Sequence, residues 1–330
     1  MSGKSVHKIL SALLALLVGV SVPYFLIDIG EKAYAEFAPP AVVVPLPNLG
    51  SNDADSTPMP DDSEPVPVNP NISGQYYFEG PNYQVPQTSA QAYVVGDVDT
   101  GEIIIEKNQN DVHPIASVSK LITALVAKAN MDQHKPVTVS RSSIDIYGSS
   151  GGLSQGEKIL VTDLYYPLLM ESSNDAAEVF AEGYGYDDFI NLMNKQAGDI
   201  GMASTSFFEP SGLSEKNVST ARDLFKLAGY ITNEHPDIWD ITRVRQYSIR
   251  GHAWGNSSQI SRKVSFIGGK NGFTYEANET AVVVLNIPLE GGIRRIGITL
   301  LKSNAREVDV NALERFVAKW VGFLPKGENL

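Results

Sequence analysis

Ser117-Val118-Ser119-Lys120-Leu121-Ile122-Thr123-Ala124-Leu125-Val126 is the stretch on which the reading of this chain turns. Leu121, Ile122, Leu125 and Val126 recur at the spacing of one helix face, and Pro114 lies just upstream, so a helix is expected to open at Ser117. Upstream the period changes. Residues 92–98 and 102–106 flank Asp99-Thr100-Gly101 and read as a β-hairpin closed by a glycine turn. Downstream, helices are expected over 162–171, 175–183, 186–200 and 220–231. Strands follow over 265–270, 279–288 and 294–302, and an amphipathic helix over 308–321. Strands at both ends enclosing helices between them predict an α+β domain whose termini complete one antiparallel sheet.

Three short motifs carry the chemistry. In Ser117-Val118-Ser119-Lys120 the outer residues are three apart, so on a helix the Lys120 amine lies beside the Ser117 hydroxyl. Serine is a weak nucleophile until a neighbouring base takes its proton, and lysine serves as that base only with a lowered pKa. A serine at a helix start is also a common N-cap, so this motif alone decides nothing. The second motif, Ser172-Ser173-Asn174, falls where one helix stops and the next starts. Its hydroxyls and amide could relay a proton and hold a carbonyl, or could simply cap the helix. The third, Lys270-Asn271-Gly272, ends a predicted strand. There a cation and a residue without a side chain would admit an anionic substrate, while alone the triplet reads as a turn.

SxxK, SxN and KTG in this order form the signature of β-lactamases and penicillin-binding proteins. With the stretches 114–117, 172–177, 219–223 and 272–274, the chain resembles the low-molecular-mass D-alanyl-D-alanine carboxypeptidases, a family of serine peptidases, over residues 92–320. That resemblance implies a five-stranded antiparallel sheet packed against a helical cluster, with the site between them. It implies Ser117 as the acylated nucleophile, Lys120 as its base and Ser172 in proton transfer. Asn174 and Lys270 would bind the amide and carboxylate regions of the substrate, and the backbone N–H groups of Ser117 and Phe273, beside Gly272, would form the oxyanion hole. Arg306 stands where the family places an arginine for the terminal carboxylate, and a surface salt bridge is its alternative role. Arg222 and Asp223 would orient the fold. Peptidoglycan stem peptides are the implied substrate and β-lactam antibiotics the implied covalent inhibitors. Asn271 departs from the family's usual threonine or serine, which puts rate and substrate choice in question.

Other activities of the same apparatus stay open. A DD-endopeptidase would use the same residues. A β-lactamase would need a deacylation base, and no Glu-x-x-Leu-Asn stretch lies between Ser172 and Lys270. A non-catalytic wall-binding relative is the reading that Asn271 alone would favour.

Composition narrows the remaining classes. The 330 residues contain no cysteine, which removes disulfides, thiol catalysis and cysteine metal sites, and a net charge of −12 argues against a nucleic-acid partner. His7, His113, His134, His235 and His252 are dispersed, so no metal site and no cofactor are expected. Lys4 and Lys8 precede an apolar run over 9–29, about the 20 residues a membrane crossing needs. Residues 1–35 are therefore expected to be a single-pass membrane anchor with the rest extracytoplasmic. Ala33-Tyr34-Ala35 offers the alternative of a cleaved signal and secretion. Residues 36–85, rich in proline and acid, are expected to be a disordered linker, and 86–330 the peptidase domain. No further β domain is expected after the last helix.

Overall fold

The computed structural model describes residues 74–148 and 150–326. Its principal elements begin with β1 (Gly74–Phe78), β2 (Ala92–Asp97) and β3 (Ile103–Lys107), followed by a 3-10 turn (Ala116–Ser119) leading into α1 (Lys120–Asn130). Then come α2 (Val161–Tyr166), a π-helical turn (Pro167–Glu171), α3 (Asn174–Tyr184), α4 (Tyr186–Ile200), α5 (Ala221–Glu234) and α6 (Pro236–Arg243). The hairpin β4 (Gln246–Ile249) and β5 (His252–Gly255) precedes β6 (Phe266–Thr274), β7 (Asn278–Leu289), β8 (Gly292–Ser303), α7 (Arg306–Trp320) and β9 (Val321–Pro325).

Five strands form one antiparallel sheet in the order β6-β7-β8-β2-β3, so the N-terminal hairpin closes a sheet begun by the C-terminal strands. Strand alternation sorts its residues between two cores. Val94, Val282, Val284 and Leu301 join Val118, Leu121, Leu125, Phe180 and Leu224 on the side of the helical cluster. Val95, Val283, Leu285, Ile298 and Leu300 pack with Val310, Leu313 and Val317 of α7 on the other. Burial on both faces is why β7 reads as a continuous apolar run and not as an alternating one.

Three differences from the sequence reading have a plain physical reason. β6 runs on through Thr274, so the whole third motif is strand and not turn. Pairing of Lys270, Asn271 and Gly272 with Val282, Ala281 and Thr280 overrides the weak strand preference of a glycine-rich segment. The helix expected over 162–171 changes to a π-helical turn at Pro167, which has no N–H to continue the α ladder, and stops at Ser172 in a left-handed conformation. Residues 74–85, assigned to the linker, belong to the folded domain. β1 pairs with β9, and the Tyr76 hydroxyl donates to Asp97, which also receives Arg294 Nε at 2.8 Å in a buried ion pair. Arg294 in turn lies 4.4 Å from the centre of the Phe323 ring on β9, clamping the two-stranded ribbon to the sheet. The apolar run over 9–29 and the rest of the linker lie outside the described residues, among which no helix is long and apolar enough to cross a membrane.

Candidate active site

The 3-10 turn delivers Ser117 half-buried at the head of α1, with Lys120 fully buried behind it. Lys120 Nζ donates to Ser117 Oγ at 3.1 Å, to Asn174 Oδ1 at 2.7 Å and to the Ser211 carbonyl at 2.6 Å. Ser117 caps no helix: Ile115 and Ser119 hold the cap positions, and neither makes a side-chain cap bond. Ala116, immediately before it, has φ of 49°, a left-handed strain of the kind that gathers at functional sites.

The second motif divides its work. Ser173 is the cap, accepting the Ala176 N–H at 3.1 Å, so the structural reading holds for the middle residue. The outer two face Lys120 and Lys270. Ser172, at φ 66°, accepts from Lys270 Nζ at 2.9 Å. Asn174 accepts from Lys120 and donates to the carbonyls of Tyr147 and Gly148 at 3.2 and 3.1 Å. A substrate carbonyl reaches this amide only by replacing one of those two.

On β6, buried Lys270 also donates to the Asn271 carbonyl at 2.7 Å. The Asn271 side chain is half-buried and has no hydrogen-bond partner among the described residues. Gly272 is where the sheet meets the serine. A Cβ there would lie 2.8 Å from the Ser117 nitrogen and 2.6 Å from Thr280 Oγ1, so any side chain would drive the strand off the turn. Thr280 Oγ1 itself donates to the Ile115 carbonyl at 2.9 Å. Arg306 forms the ion pair of its alternative role and also reaches the strand of the third motif. It is mostly buried and ion-paired with Glu307 at 2.8 Å, and its Nη1 donates to the Gly272 carbonyl at 3.1 Å. Phe273 is exposed beside it.

A fourth segment, 207–217, carries no motif and closes the site. The Glu209 carboxylate gathers the N–H groups of Ser211 and Gly212 at 2.7 and 2.6 Å, fixing the turn whose Ser211 carbonyl receives Lys120. Asn217 accepts from the N–H of Phe208 at 2.9 Å and donates to Ser119 Oγ at 3.0 Å, and Thr123 Oγ1 donates to the Pro210 carbonyl at 2.6 Å. Gly212 presses on the strained turn so closely that a Cβ would fall 1.9 Å from the Ala116 oxygen. Glu209, Ser211, Asn217 and the buried Glu178 were not picked out from the sequence, where Glu209-Pro210-Ser211-Gly212 has the composition of an ordinary turn.

Burial sets the electrostatics. It pushes Lys120 down to about 7, only partly offset by the carboxylates of Glu209 and Glu178. It pushes Lys270 well below the ordinary lysine range, helped by the positive charges of Lys120 and Arg306. Glu178, one helical turn beyond Asn174, is raised to about 7 by burial and then by the carboxylates of Glu209 and Glu182, against the pull of Lys120. A neutral Lys120 keeps two N–H bonds. Directing them at Asn174 Oδ1 and the Ser211 carbonyl turns its lone pair to Ser117 Oγ, the orientation in which an amine removes a hydroxyl proton.

The sequence profile of peptidase S11, D-alanyl-D-alanine carboxypeptidase, matches residues 80–299, a span containing all three motifs. The chain belongs to the S11 peptidase family. The D-alanyl-D-alanine endopeptidase of Escherichia coli is 36% identical over 166 residues, 49% of this chain and 53% of that protein. The D-alanyl-D-alanine carboxypeptidase DacB2 of Mycobacterium tuberculosis is 30% identical over 236 residues, 68% of this chain and 78% of that protein. The chain spans about half the length of the E. coli endopeptidase and, at 44%, somewhat less of a Pseudomonas aeruginosa one. The S11 fold is shared with penicillin-binding protein D2 of Listeria monocytogenes, solved in a cefotaxime-bound form. Its TM-score is 0.63 at 29% identity, over 72% of this chain and 99% of that one.

Proposed function

We propose that this S11 peptidase cleaves D-alanyl-D-alanine ends of peptidoglycan stem peptides through an acyl-enzyme on Ser117. The observation that carries the proposal is the bond from fully buried Lys120 to Ser117 Oγ, with the other two Lys120 contacts fixed by Asn174 and Ser211. Neutral Lys120 takes the Ser117 proton as Oγ attacks the penultimate D-alanine carbonyl. The oxyanion is held by the backbone N–H groups of Ser117 and Phe273. As the C–N bond breaks, the proton that Lys120 took passes through the Ser172 hydroxyl to the leaving amine, restoring neutral Lys120, and Lys270 attracts the terminal carboxylate. Lys120 then takes a proton from the water that attacks the ester, and that proton returns to the departing Ser117 Oγ. β-Lactams enter as acylating analogues of the same end.

Carboxypeptidase action is the preferred reading, supported by the family profile and by likeness to DacB2 over most of both chains. Endopeptidase action is the second, favoured by the higher identity to the E. coli protein over a shorter stretch. Incubating the full chain with purified muropeptides and weighing the products separates them: free D-alanine supports the first, monomers from crosslinked dimers the second. No product from either, with undiminished fluorescent-penicillin labelling of Ser117→Ala, sinks both. The proposed location is extracytoplasmic and membrane-tethered, from Lys4, Lys8 and the apolar run that follows. Protease added to intact spheroplasts should release the domain, and full protection would overturn the topology.

A further inference from the structure

Four aromatic side chains are more than half exposed among the described residues: Tyr147 (84%), Phe208 (58%), Phe273 (57%) and Tyr275 (87%). Their positions are not scattered. Tyr147 lends its carbonyl to Asn174, the residue that holds Lys120. Phe208 precedes Glu209 on the segment whose Gly212 abuts Ala116, and Lys216 Nζ lies 4.5 Å from the centre of its ring. Phe273 follows Gly272, against the Ser117 nitrogen, and meets Tyr275 edge to face with ring centres 5.9 Å apart. Each of the three segments that close on Ser117 thus carries an exposed aromatic ring within a residue or a few of the contact that joins it to the site.

Beyond the Lys216–Phe208 and Phe273–Tyr275 contacts these rings bury little in the free protein, and grouped exposed apolar surface marks interaction sites. We infer that Tyr147, Phe208, Phe273 and Tyr275 form a rim that binds the polysaccharide strand carrying the stem peptide. The inference rests on the proposed wall-peptide substrate. The stem end occupies the cleft between Ser117 and Lys270, and the rest of the stem, at about 3.3–3.6 Å per residue, leads out past the rim to the polymer that bears it. A pyranose ring has an apolar C–H face flanked by hydroxyl and acetamido groups. A tyrosine matches it, with a flat apolar face and a hydroxyl at its edge. Separate rings around a cleft suit a ribbon of successive sugars better than one broad protein surface, whose core is contiguous.

The test uses the full chain as Ser117→Ala, to prevent turnover, with and without Tyr147→Ala and Tyr275→Ala together. The probe is insoluble glycan stripped of its stem peptides, and retention is read by co-sedimentation. The expected result is retention of the parent and at least a fivefold weaker retention of the double variant. In the active background, the same two changes should lower product release from intact sacculi at least fivefold while leaving cleavage of a short D-Ala-D-Ala peptide within twofold. No retention of the parent, equal retention of both, or equal losses on sacculi and short peptide would each overturn the rim. Penicillin labelling of the active chain is scored separately: its absence would defeat the serine-peptidase reading, whereas its presence with a failed glycan result defeats only the rim.

Discussion

The pH dependence of acylation tests the base directly. With its pKa pushed down to about 7, Lys120 is half neutral at pH 7, whereas an ordinary lysine would be neutral in roughly one molecule in three thousand. Acylation by a fluorescent penicillin should therefore fall about tenfold between pH 8 and pH 6, with a midpoint near 7. The charges acting on Lys120 are the carboxylates of Glu209 and Glu178, and Lys270 titrates beside it. Glu178→Gln removes one negative charge and leaves untouched the turn in which Glu209 accepts from the Ser211, Gly212 and Ser214 N–H groups and the Ser211 hydroxyl. Because Glu178 itself carries its charge only from about pH 7 upward, the midpoint should move down by less than about one unit, making the variant faster than the parent near pH 7 and little different from it at pH 6. The assay is the second-order labelling rate from pH 5.5 to 9, with thermal melting at each pH to exclude unfolding. A flat profile, or a rate still climbing past pH 9, would refute Lys120 as the base. A Glu178→Gln midpoint that moves upward would refute the sign of the field.

Three further outcomes follow from single contacts. Gly272→Ala sets a methyl 2.8 Å from the Ser117 nitrogen and should lower acylation at least about a hundredfold for a stability loss of about 1–3 kcal/mol, read by penicillin labelling and chemical denaturation. Asn271→Thr exchanges an unpartnered amide for a short hydroxyl on the edge strand. It should raise kcat/KM on a D-Ala-D-Ala peptide, by about tenfold if a carboxylate hydrogen bond of about 1.5 kcal/mol is gained, and a large loss at unchanged Tm would mean that Asn271 suits another substrate end. Glu178, raised to about 7 in the fold against 4.5 free, contributes stability that is present below pH 4.5 and lost as pH rises through 7. Glu178→Gln should therefore stabilise by about 1–3 kcal/mol at pH 8 and by little at pH 4.5, as measured by urea denaturation.

The sheet was legible because its patterns are local. Residues 92–98 and 102–106 announce a hairpin through Asp99-Thr100-Gly101, and β7 and β8 are long strands rich in β-branched and aliphatic residues. The two misjudged edges have one cause. Whether residues 74–78 or 271–274 are extended depends on partners far along the chain, β9 and β7, and no local preference of Gly74, Gly272 or their neighbours carries that information.

The same division runs through the site. Ser117 and Lys120 could be read together because three residues of helix bring them to one face, and Ser172 with Asn174 because a helix start lies between them. Lys120, however, is held as much by the Ser211 carbonyl, 91 positions away, as by Asn174. That carbonyl has no side-chain signature, since any residue could supply it. Its position depends on Glu209 gathering N–H groups, on Asn217 bracing the turn against Ser119, and on Gly212 fitting under Ala116. A lone pair aimed by one motif side chain and one backbone carbonyl is thus only half visible in the motifs. The proposed chemistry needs both Ser117 and Lys120, and the 207–217 turn helps set whether the amine faces the serine. A chain that kept all three motifs and lost Glu209 would keep the signature without the geometry.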